Sequence, residues 1–193
     1  MDSLQHSATT LSAEEVKRIL GLTPHPREGG WFVRTYESGE MLPLDVFADG
    51  RYSGARHTGT AIYYLLEPDT FSEMHLLRSD ELFHFYMGDA VEMLHLRPDG
   101  TGDTVRIGSD LAAGERPQVL VPRGVWQGSR LARGGRWALL GCTVVPGFDF
   151  ADYTSATRAA LIADWPAFAD EITKLTREGD GSSPDRQEDA ADA

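Results

Sequence analysis

The chain has 193 residues, of which 41% are hydrophobic and 25% charged, which is ordinary for a single soluble domain. Its 18 basic and 30 acidic residues give a formal net charge of -12, and such a surface repels phosphate backbones, so we expect no nucleic-acid partner. The single cysteine, Cys142, excludes an internal disulfide framework. The sequence shows neither a signal-peptide pattern nor an apolar run long enough to span a membrane, so we expect a cytoplasmic protein without a membrane partner.

A short helix is predicted near the N-terminus, followed by an irregular loop. Ser12 is suited to cap the helix, Glu15 completes a capping box three residues later, and Gly21 ends it. The segment 22–30 contains two prolines and two glycines, so it is predicted to form a loop with a fixed path. His25 lies between the two prolines, and we expect it to brace this loop rather than to bind a metal.

Short β-type runs separated by turn residues occupy most of the remaining chain. The predicted strands are residues 31–36, 61–66, 91–96, 118–121 and 137–145. Several short strands at this spacing indicate a β-sandwich or a β-barrel. A helical pattern over residues 156–175, interrupted at Pro166, is expected to cover an opening or an edge of that barrel.

One folded domain is predicted between two disordered ends. Residues 1–10 are polar and residues 177–193 are polar and acidic, so we expect both segments to be disordered. The single domain then spans residues 11–176, and its barrel core lies near residues 30–150.

Two motifs in the centre of the chain combine ionisable or polar side chains with turn residues. In the first motif, His75 precedes Glu81 by six positions, and Gly88 closes the run. In the second motif, the turn at residues 122–124 precedes Gln127.

These motifs resemble the two motifs of the cupin superfamily. Leu77 stands where the first cupin motif usually has a second histidine, and Gln127 stands where the second motif usually has a histidine. Residues 22–32 and 145–150 resemble the first and last signatures of one branch, called cupin 5, whose functions are largely unassigned. The four segments follow one another in the expected order.

The resemblance implies a fold class and a location for a ligand. A cupin is a double-stranded β-helix, or jelly-roll barrel, so we expect a mainly β protein with a short N-terminal helix and C-terminal helices. Family membership also implies a homodimer and a pocket for a small-molecule ligand inside the barrel. It does not supply a reaction, because jelly rolls host many unrelated functions.

Strand geometry predicts which side chains meet inside that barrel. Side chains alternate along a strand, so Glu81 and His84 lie on opposite faces, and His84 turns inward only at a bulge. The cupin pattern implies that His75 and Glu81 both point inward. We therefore expect His75, Glu81 and Gln127 to converge.

A histidine beside a carboxylate is a candidate acid–base pair, because the carboxylate raises the imidazole's pKa and fixes its tautomer. His75 is the predicted general base, Glu81 its orienting partner or the acid, and Tyr64 a proton donor. The predicted activity is that of a metal-independent isomerase, epimerase or lyase acting on a small polar or carbohydrate-like ligand. The alternative is that His75 and Glu81 merely satisfy each other's hydrogen bonds.

Further ligand contacts are predicted on or beside the two motifs. These residues are Gln127, His84, Arg78, Arg123, Phe83, Phe85 and Trp126. Arg78 and Arg123 flank the two motifs and are favoured, among several arginines, for binding an anionic group. For Trp126, packing in the core or at a subunit contact is the alternative to contact with a ligand.

The motif positions bear on a metal cofactor. A standard cupin site offers three imidazoles and one carboxylate to a transition metal, and this chain keeps one of each, so we expect no cofactor. Two alternatives stay open. One is a divalent transition metal held by the reduced set His75, Glu81 and His84, as in a dioxygenase-like cupin, and the other is a ligand-binding cupin without turnover.

Overall fold

The computed structural model describes residues 11–47 and 49–177 and shows a mainly β protein. One α-helix precedes the thirteen described strands and two α-helices follow them, as the sequence predicted. The expected disorder of residues 1–10, and of the tail beyond residue 177, lies outside the described residues.

Thirteen strands and three α-helices run through the described part of the chain. The strands are β1 (Thr23–Pro24), β2 (Trp31–Glu37), β3 (Met41–Leu42), β4 (Arg56–His57), β5 (Thr60–Leu66), β6 (Phe71–Leu76), β7 (Asp80–Gly88), β8 (Val91–Leu96), β9 (Gly102–Ile107), β10 (Gln118–Val121), β11 (Trp126–Leu131), β12 (Ala138–Val145) and β13 (Thr154–Ser155). The α-helices are α1 (Ala13–Leu20), α2 (Arg158–Asp164) and α3 (Ala169–Lys174), and single 3-10 turns occur at Leu44–Val46, Phe150–Asp152 and Pro166–Phe168.

Two antiparallel sheets face each other and form the barrel. The six-stranded sheet has the order β1-β2-β5-β12-β7-β10, and the five-stranded sheet has the order β13-β6-β11-β8-β9. Many neighbouring strands are distant in sequence, as in a double-stranded β-helix. The predicted jelly-roll fold is confirmed, and this topology brings remote segments together at one place.

The main hydrophobic core lies between the two sheets. Side chains alternate along each strand, so each sheet contributes one apolar face to this core. Buried members from both sheets include Tyr64, Leu66, Phe83, Val91, Met93 and Leu140.

Helix α1 covers part of the outer face of the six-stranded sheet. The predicted capping box is present, since the Ser12 hydroxyl accepts from the Glu15 N–H and the Glu15 side chain accepts from the Ser12 N–H. Gly21 ends the helix in the left-handed conformation, with φ 68°. Val16 then packs against Leu139 in a second apolar cluster.

The C-terminal helices cover the outer face of the five-stranded sheet. Leu161 of α2 and Ile172 of α3 pack against Met74 and Leu94, which point outward from that sheet. The expectation that this segment covers an edge of the barrel is met in part, because the Met74 N–H of β6 donates to the Leu175 carbonyl oxygen over 2.9 Å, whereas the helices themselves pack on the outer face of the sheet. The interruption at Pro166 is confirmed, because a short 3-10 turn separates the two helices there.

One end of the barrel carries the segments that position the candidate site. The start of β5, the start of β7 and the end of β12 lie side by side at this end. Residues 146–153 cross it, anchored by a buried ion pair in which Arg56 Nε and Nη2 donate to the Asp152 carboxylate over 2.7 and 2.8 Å. This anchor fixes the aromatic residues on either side of Asp152.

Candidate functional site

A small cavity, partly open to solvent, lies at this end of the barrel. Its apolar wall is formed by Phe32, Ile62, Leu77, Val144, Phe148 and Phe150. Its ionisable lining consists of His25, Glu28, Arg34, Tyr64, Glu81 and Cys142. The cavity thus combines an apolar wall with a few polar groups, as small-molecule sites usually do.

Glu81 points into the cavity from β7 and is held in a protonated state. The Gln127 amide on the facing sheet donates from Nε2 to Glu81 Oε2 over 2.6 Å. Burial, and after it the negative charge of Glu28, raise the pKa of Glu81 from 4.5 to about 8, although the Gln127 hydrogen bond acts to lower this pKa. At pH 7 the Glu81 carboxyl is therefore mostly neutral and carries a proton to donate.

Glu28 enters the cavity from the loop before β2, with an imidazole on either side of one oxygen. Its Oε1 lies 3.7 Å from His25 Nε2 and 3.9 Å from His75 Nε2. Its Oε2 accepts a hydrogen bond from the Ser72 hydroxyl over 3.3 Å. Glu28 is thus a carboxylate surrounded by potential proton donors and acceptors.

The two histidines are held in opposite tautomers by the backbone. His75 Nδ1 lies 2.7 Å from the Glu73 carbonyl oxygen, which only accepts, so this nitrogen carries the proton and neutral His75 has its lone pair on Nε2. His25 Nδ1 accepts from the Glu28 N–H at 2.9 Å and from the Arg27 N–H at 3.3 Å, so its proton is on Nε2. His25 therefore points a donor at the Glu28 carboxylate, and His75 points an acceptor. The prediction that His25 braces the loop is confirmed.

Two glycines allow this loop to approach the barrel. Gly29 and Gly30 have φ values of 95° and 69°, in the left-handed region that favours glycine. A Cβ on Gly29 would lie 2.5 Å from the Phe71 carbonyl oxygen. A Cβ on Gly30 would lie 2.8 Å from the Leu65 carbonyl oxygen. Close backbone contact with β5 and β6 therefore places Glu28 in the cavity.

The structure replaces the predicted His75–Glu81 pair with two other pairs. Within the described residues, no hydrogen bond or ion pair joins these two side chains. Glu81 pairs with Gln127, as the predicted convergence requires, whereas the carboxylate nearest to His75 is Glu28. His75 is 1% exposed and stacks on Tyr153 with ring centroids 5.0 Å apart, so it lies behind Glu28 rather than on the cavity wall.

Tyr64 and Cys142 lie on the cavity wall but are poor candidates for proton donor and nucleophile. The Tyr64 hydroxyl donates to the Gly29 carbonyl oxygen over 2.8 Å, so its proton is already engaged. Burial raises the pKa of Tyr64 and that of the Cys142 thiol well above their usual values. Tyr64 therefore positions the loop that carries Glu28.

The predicted aromatic and histidine contacts lie elsewhere. Phe83 and Phe85 belong to the core between the sheets, and Trp126 packs outside the barrel beneath the C-terminal helices. His84 lies on the outer face of the six-stranded sheet, where its ring nitrogens are 3.4 Å from Thr143 Oγ1 and from Gln118 Nε2. Side-chain alternation continues unbroken up to His84, so no bulge turns it inward.

The two arginines predicted to bind an anionic group, Arg78 and Arg123, do not line the cavity. Arg78 donates to the Arg51 carbonyl oxygen over 2.6 Å, and Arg123 pairs with Asp49 over 3.0 Å. The arginine on the cavity wall is instead Arg34, which pairs with Glu37. Sequence reasoning favoured Arg78 and Arg123 over the other arginines, Arg34 among them, and it assigned no chemical role to Glu28.

The side chains present do not fit a cupin metal centre. Leu77 and Gln127 replace two of the usual imidazoles, and His84 of the proposed reduced set lies outside the barrel. No group of three or more His, Cys, Asp or Glu side chains suited to hold a metal ion occurs in residues 11–47 and 49–177. His25 is also unsuited, because its inward nitrogen carries the proton. We therefore assign no step to a metal.

Comparisons with known proteins agree with this architecture. The model of the Cupin_5 family, described as "Cupin superfamily (DUF985)", matches residues 14–156. The chain belongs to this family. Across 66% of the chain it is 31% identical to the uncharacterized protein YML079W of Saccharomyces cerevisiae (strain ATCC 204508 / S288c), 67% of which is matched.

Two solved structures resemble this Cupin_5 protein over most of its length. Protein SO0799 from Shewanella oneidensis is 34% identical with a TM-score of 0.76, covering 87% of this chain and 99% of that one. A hypothetical protein from Leishmania major is 30% identical with a TM-score of 0.79, covering 87% and 100%. None of these names states an activity, so the function has to be argued from the site.

Proposed function

We propose that this Cupin_5 protein binds a small polar molecule in the cavity and transfers protons on it without a metal, as an isomerase, epimerase or lyase. One observation carries the proposal. Two carboxyl groups, Glu28 and Glu81, line the same cavity, and the pKa of Glu81 is raised to about 8. Two carboxyl groups that share a site but differ in environment can act as a base and an acid.

The chemistry that fits this pair is enolisation. A Glu28 carboxylate oxygen accepts a proton from the carbon next to a ligand carbonyl, while Glu81 donates its proton to the carbonyl oxygen. Return of the first proton to a neighbouring carbon, with return of a hydroxyl proton to Glu81, completes an isomerisation and restores both residues. Each transfer is ordinary general acid–base catalysis.

His25 and His75 both approach Oε1 of Glu28, the proposed base. The His25 Nε2–H donor favours the Glu28 carboxylate, and the His75 Nε2 lone pair offers an acceptor for the proton that Glu28 takes up. His75 acts through Glu28 and is a positioning residue, since it is buried behind the cavity wall. The apolar wall lowers the local dielectric constant, which strengthens these electrostatic effects.

Hydrogen–deuterium exchange tests the proposal before a substrate is known. Small sugars, hydroxy acids and keto acids are incubated with the protein in D₂O, and loss of the C–H signal next to the carbonyl is followed by ¹H NMR. Glu28→Gln and Glu81→Gln should each lower the exchange rate by at least about 100-fold, as loss of an acid or base does. Glu40→Gln, at an exposed position away from the cavity, is the matched control.

Binding without turnover is the competing outcome of this experiment. If a compound raises the melting temperature of the protein but shows no exchange above the Glu81→Gln background, the protein is a ligand-binding cupin. Exchange that survives both substitutions would assign the chemistry to other groups.

A homodimer is also proposed, from the family and from the outer face of the six-stranded sheet. Large apolar side chains on or beside this face are exposed, namely Ile19, Tyr86, Met87 and Leu120. Such side chains are enriched where subunits meet. Light scattering at micromolar concentration tests it, and a monomeric mass would contradict it.

A further inference from the structure

Three buried polar atoms inside the barrel belong to residues that do not line the cavity. Gln127 Oε1, Ser129 Oγ and His95 Nε2 have no hydrogen-bond partner among the described residues. The three residues are 1%, 0% and 4% exposed. Native proteins satisfy nearly all such atoms, with protein groups or with ordered water, because an unmet hydrogen bond is costly.

Sheet register makes these residues neighbours on one interior face. Gln127 of β11 pairs directly with His95 of β8. Directly opposed residues have Cβ atoms about 5 Å apart. Ser129 lies two positions along β11, on the same face and roughly 7 Å away. Its cross-strand partner Met93 belongs to the core between the sheets, which places the face inside the barrel.

The surroundings favour a neutral ligand group. Burial lowers the pKa of His95, so its imidazole is uncharged at pH 7. Asp103, which pairs with His95 across β8 and β9, forms an ion pair with Arg97, and its Oδ1 is a further buried atom without a hydrogen-bond partner in the described part of the chain that a hydroxyl can satisfy as a donor. A hydroxyl both donates and accepts, so it satisfies the Gln127 oxygen as a donor and completes the bonds of Ser129 and His95. Three polar partners are the usual number around a buried water.

We propose that Gln127, Ser129 and His95 form a buried subsite that binds one neutral hydroxyl group. The hydroxyl comes either from a water molecule or from the ligand in the cavity. The second source rests on the proposed function and makes the ligand a polyhydroxylated molecule. Gln127 connects the two sites, because its Nε2 donates to Glu81 while its other end faces the subsite. If the Gln127 amide is rotated by 180°, its Nε2 instead of its Oε1 needs a partner in the subsite, and a hydroxyl can also accept a hydrogen bond from Nε2.

Replacement of Ser129 tests the subsite in the free protein. A bound hydroxyl loses one partner in Ser129→Ala, so we expect the melting temperature to fall by about 2–4 °C. Ser79→Ala, which removes a buried hydroxyl bonded to Tyr52 at 2.8 Å, is the matched positive control. Ser53→Ala, at an exposed position, is the negative control. A Ser129→Ala protein that melts at or above the wild type overturns the proposal.

A crystal structure of the unmodified protein gives a second, independent readout. We expect one ordered oxygen atom within about 3.2 Å of polar atoms of Gln127, Ser129 and His95. A map without density there overturns the subsite, whatever the behaviour of the variants.

Melting temperatures of the wild type and of Ser129→Ala, measured with equal concentrations of D-glucose, D-ribose and erythritol, distinguish a ligand hydroxyl from a water molecule. A larger shift for the wild type than for Ser129→Ala shows that a ligand hydroxyl enters the subsite. Equal shifts, or none, overturn the ligand source and assign the hydroxyl to water. The exchange experiment on Glu28→Gln and Glu81→Gln uses different residues and a different readout, so the subsite and the proposed function fail separately.

Discussion

Gln127 Nε2 donates to Glu81 Oε2 over 2.6 Å and so links the two sheets of the barrel beside the cavity. This hydrogen bond favours the charged form of Glu81, but burial and the Glu28 charge outweigh it and hold the pKa at about 8. A carboxyl that keeps its proton at pH 7 is able to act as a donor. The bond therefore orients an acid without removing its proton.

The raised pKa of Glu81 predicts a pH dependence of stability. Its ordinary value is 4.5, so the folded state retains this proton to higher pH than the unfolded state. The resulting stabilisation is complete below pH 4.5 and is lost as pH rises to about 8. Linkage predicts a loss of about 1.4 kcal/mol per pH unit within that window.

Glu81→Gln removes this titration while keeping the shape of the side chain. Urea unfolding of wild type and variant from pH 5 to pH 9 should show the free energies of unfolding diverging in favour of the variant as pH rises. A constant difference across that range would mean that Glu81 titrates normally.

The glycine that brings Glu28 to the barrel should be intolerant of a side chain. Gly29→Ala adds a Cβ 2.5 Å from a backbone oxygen at φ 95°, so we expect a loss of at least about 1–3 kcal/mol in the free energy of unfolding. Gly39→Ala is the control, because its added Cβ meets nothing within 4 Å. Similar effects of the two substitutions would show that the loop does not pack as described.

The buried Arg56–Asp152 ion pair, which anchors residues 146–153, should contribute far more to the free energy of unfolding than an exposed ion pair. Arg56→Ala leaves the Asp152 carboxylate buried and unpaired, so we expect a loss of about 3–5 kcal/mol in denaturant unfolding. Arg123→Ala breaks an exposed pair with Asp49 and should cost less than about 1 kcal/mol. Equal losses would mean that residues 146–153 are not anchored by Asp152.

Side-chain alternation and caps account for most of what the sequence predicted about the fold. Strand β8 and the α1 capping box follow from local patterns, and they formed where expected. The placement of α2 and α3 could not be predicted from the sequence. An amphipathic pattern indicates that a helix packs on an apolar surface, but it does not identify that surface. The two helices cover Met74 and Leu94, which point outward because they alternate with inward-facing residues of their own strands.

The site was predictable only where the motifs supply it directly. The meeting of Glu81 and Gln127 follows from strand register and the cupin pattern. The pairing of His75 with Glu28 does not follow from the motifs. Glu28 belongs to a loop that lies more than 40 residues before His75 in the sequence, and local patterns do not show that this loop contacts β6. The available signal was the pair Gly29-Gly30, which indicates close backbone approach and thus a loop pressed against the barrel.

Metal content is a separate prediction, because the donor set does not fit a cupin metal. Protein purified without chelator or nickel resin should contain less than about 0.1 transition-metal ion per chain by mass spectrometry. His75→Ala should show the same content. One ion per chain that disappears in His75→Ala would restore the metal-dependent alternative.

Direct titration of Glu81 tests the central claim, which is that a neutral acid faces the cavity. Protein with ¹³C-labelled glutamate side chains is titrated by NMR, and the Glu81 signal is assigned by its absence in Glu81→Gln. We expect a midpoint near pH 8. A midpoint near the ordinary glutamate value of 4.5 would contradict it, since Glu81 would then be a carboxylate without a proton to donate at pH 7.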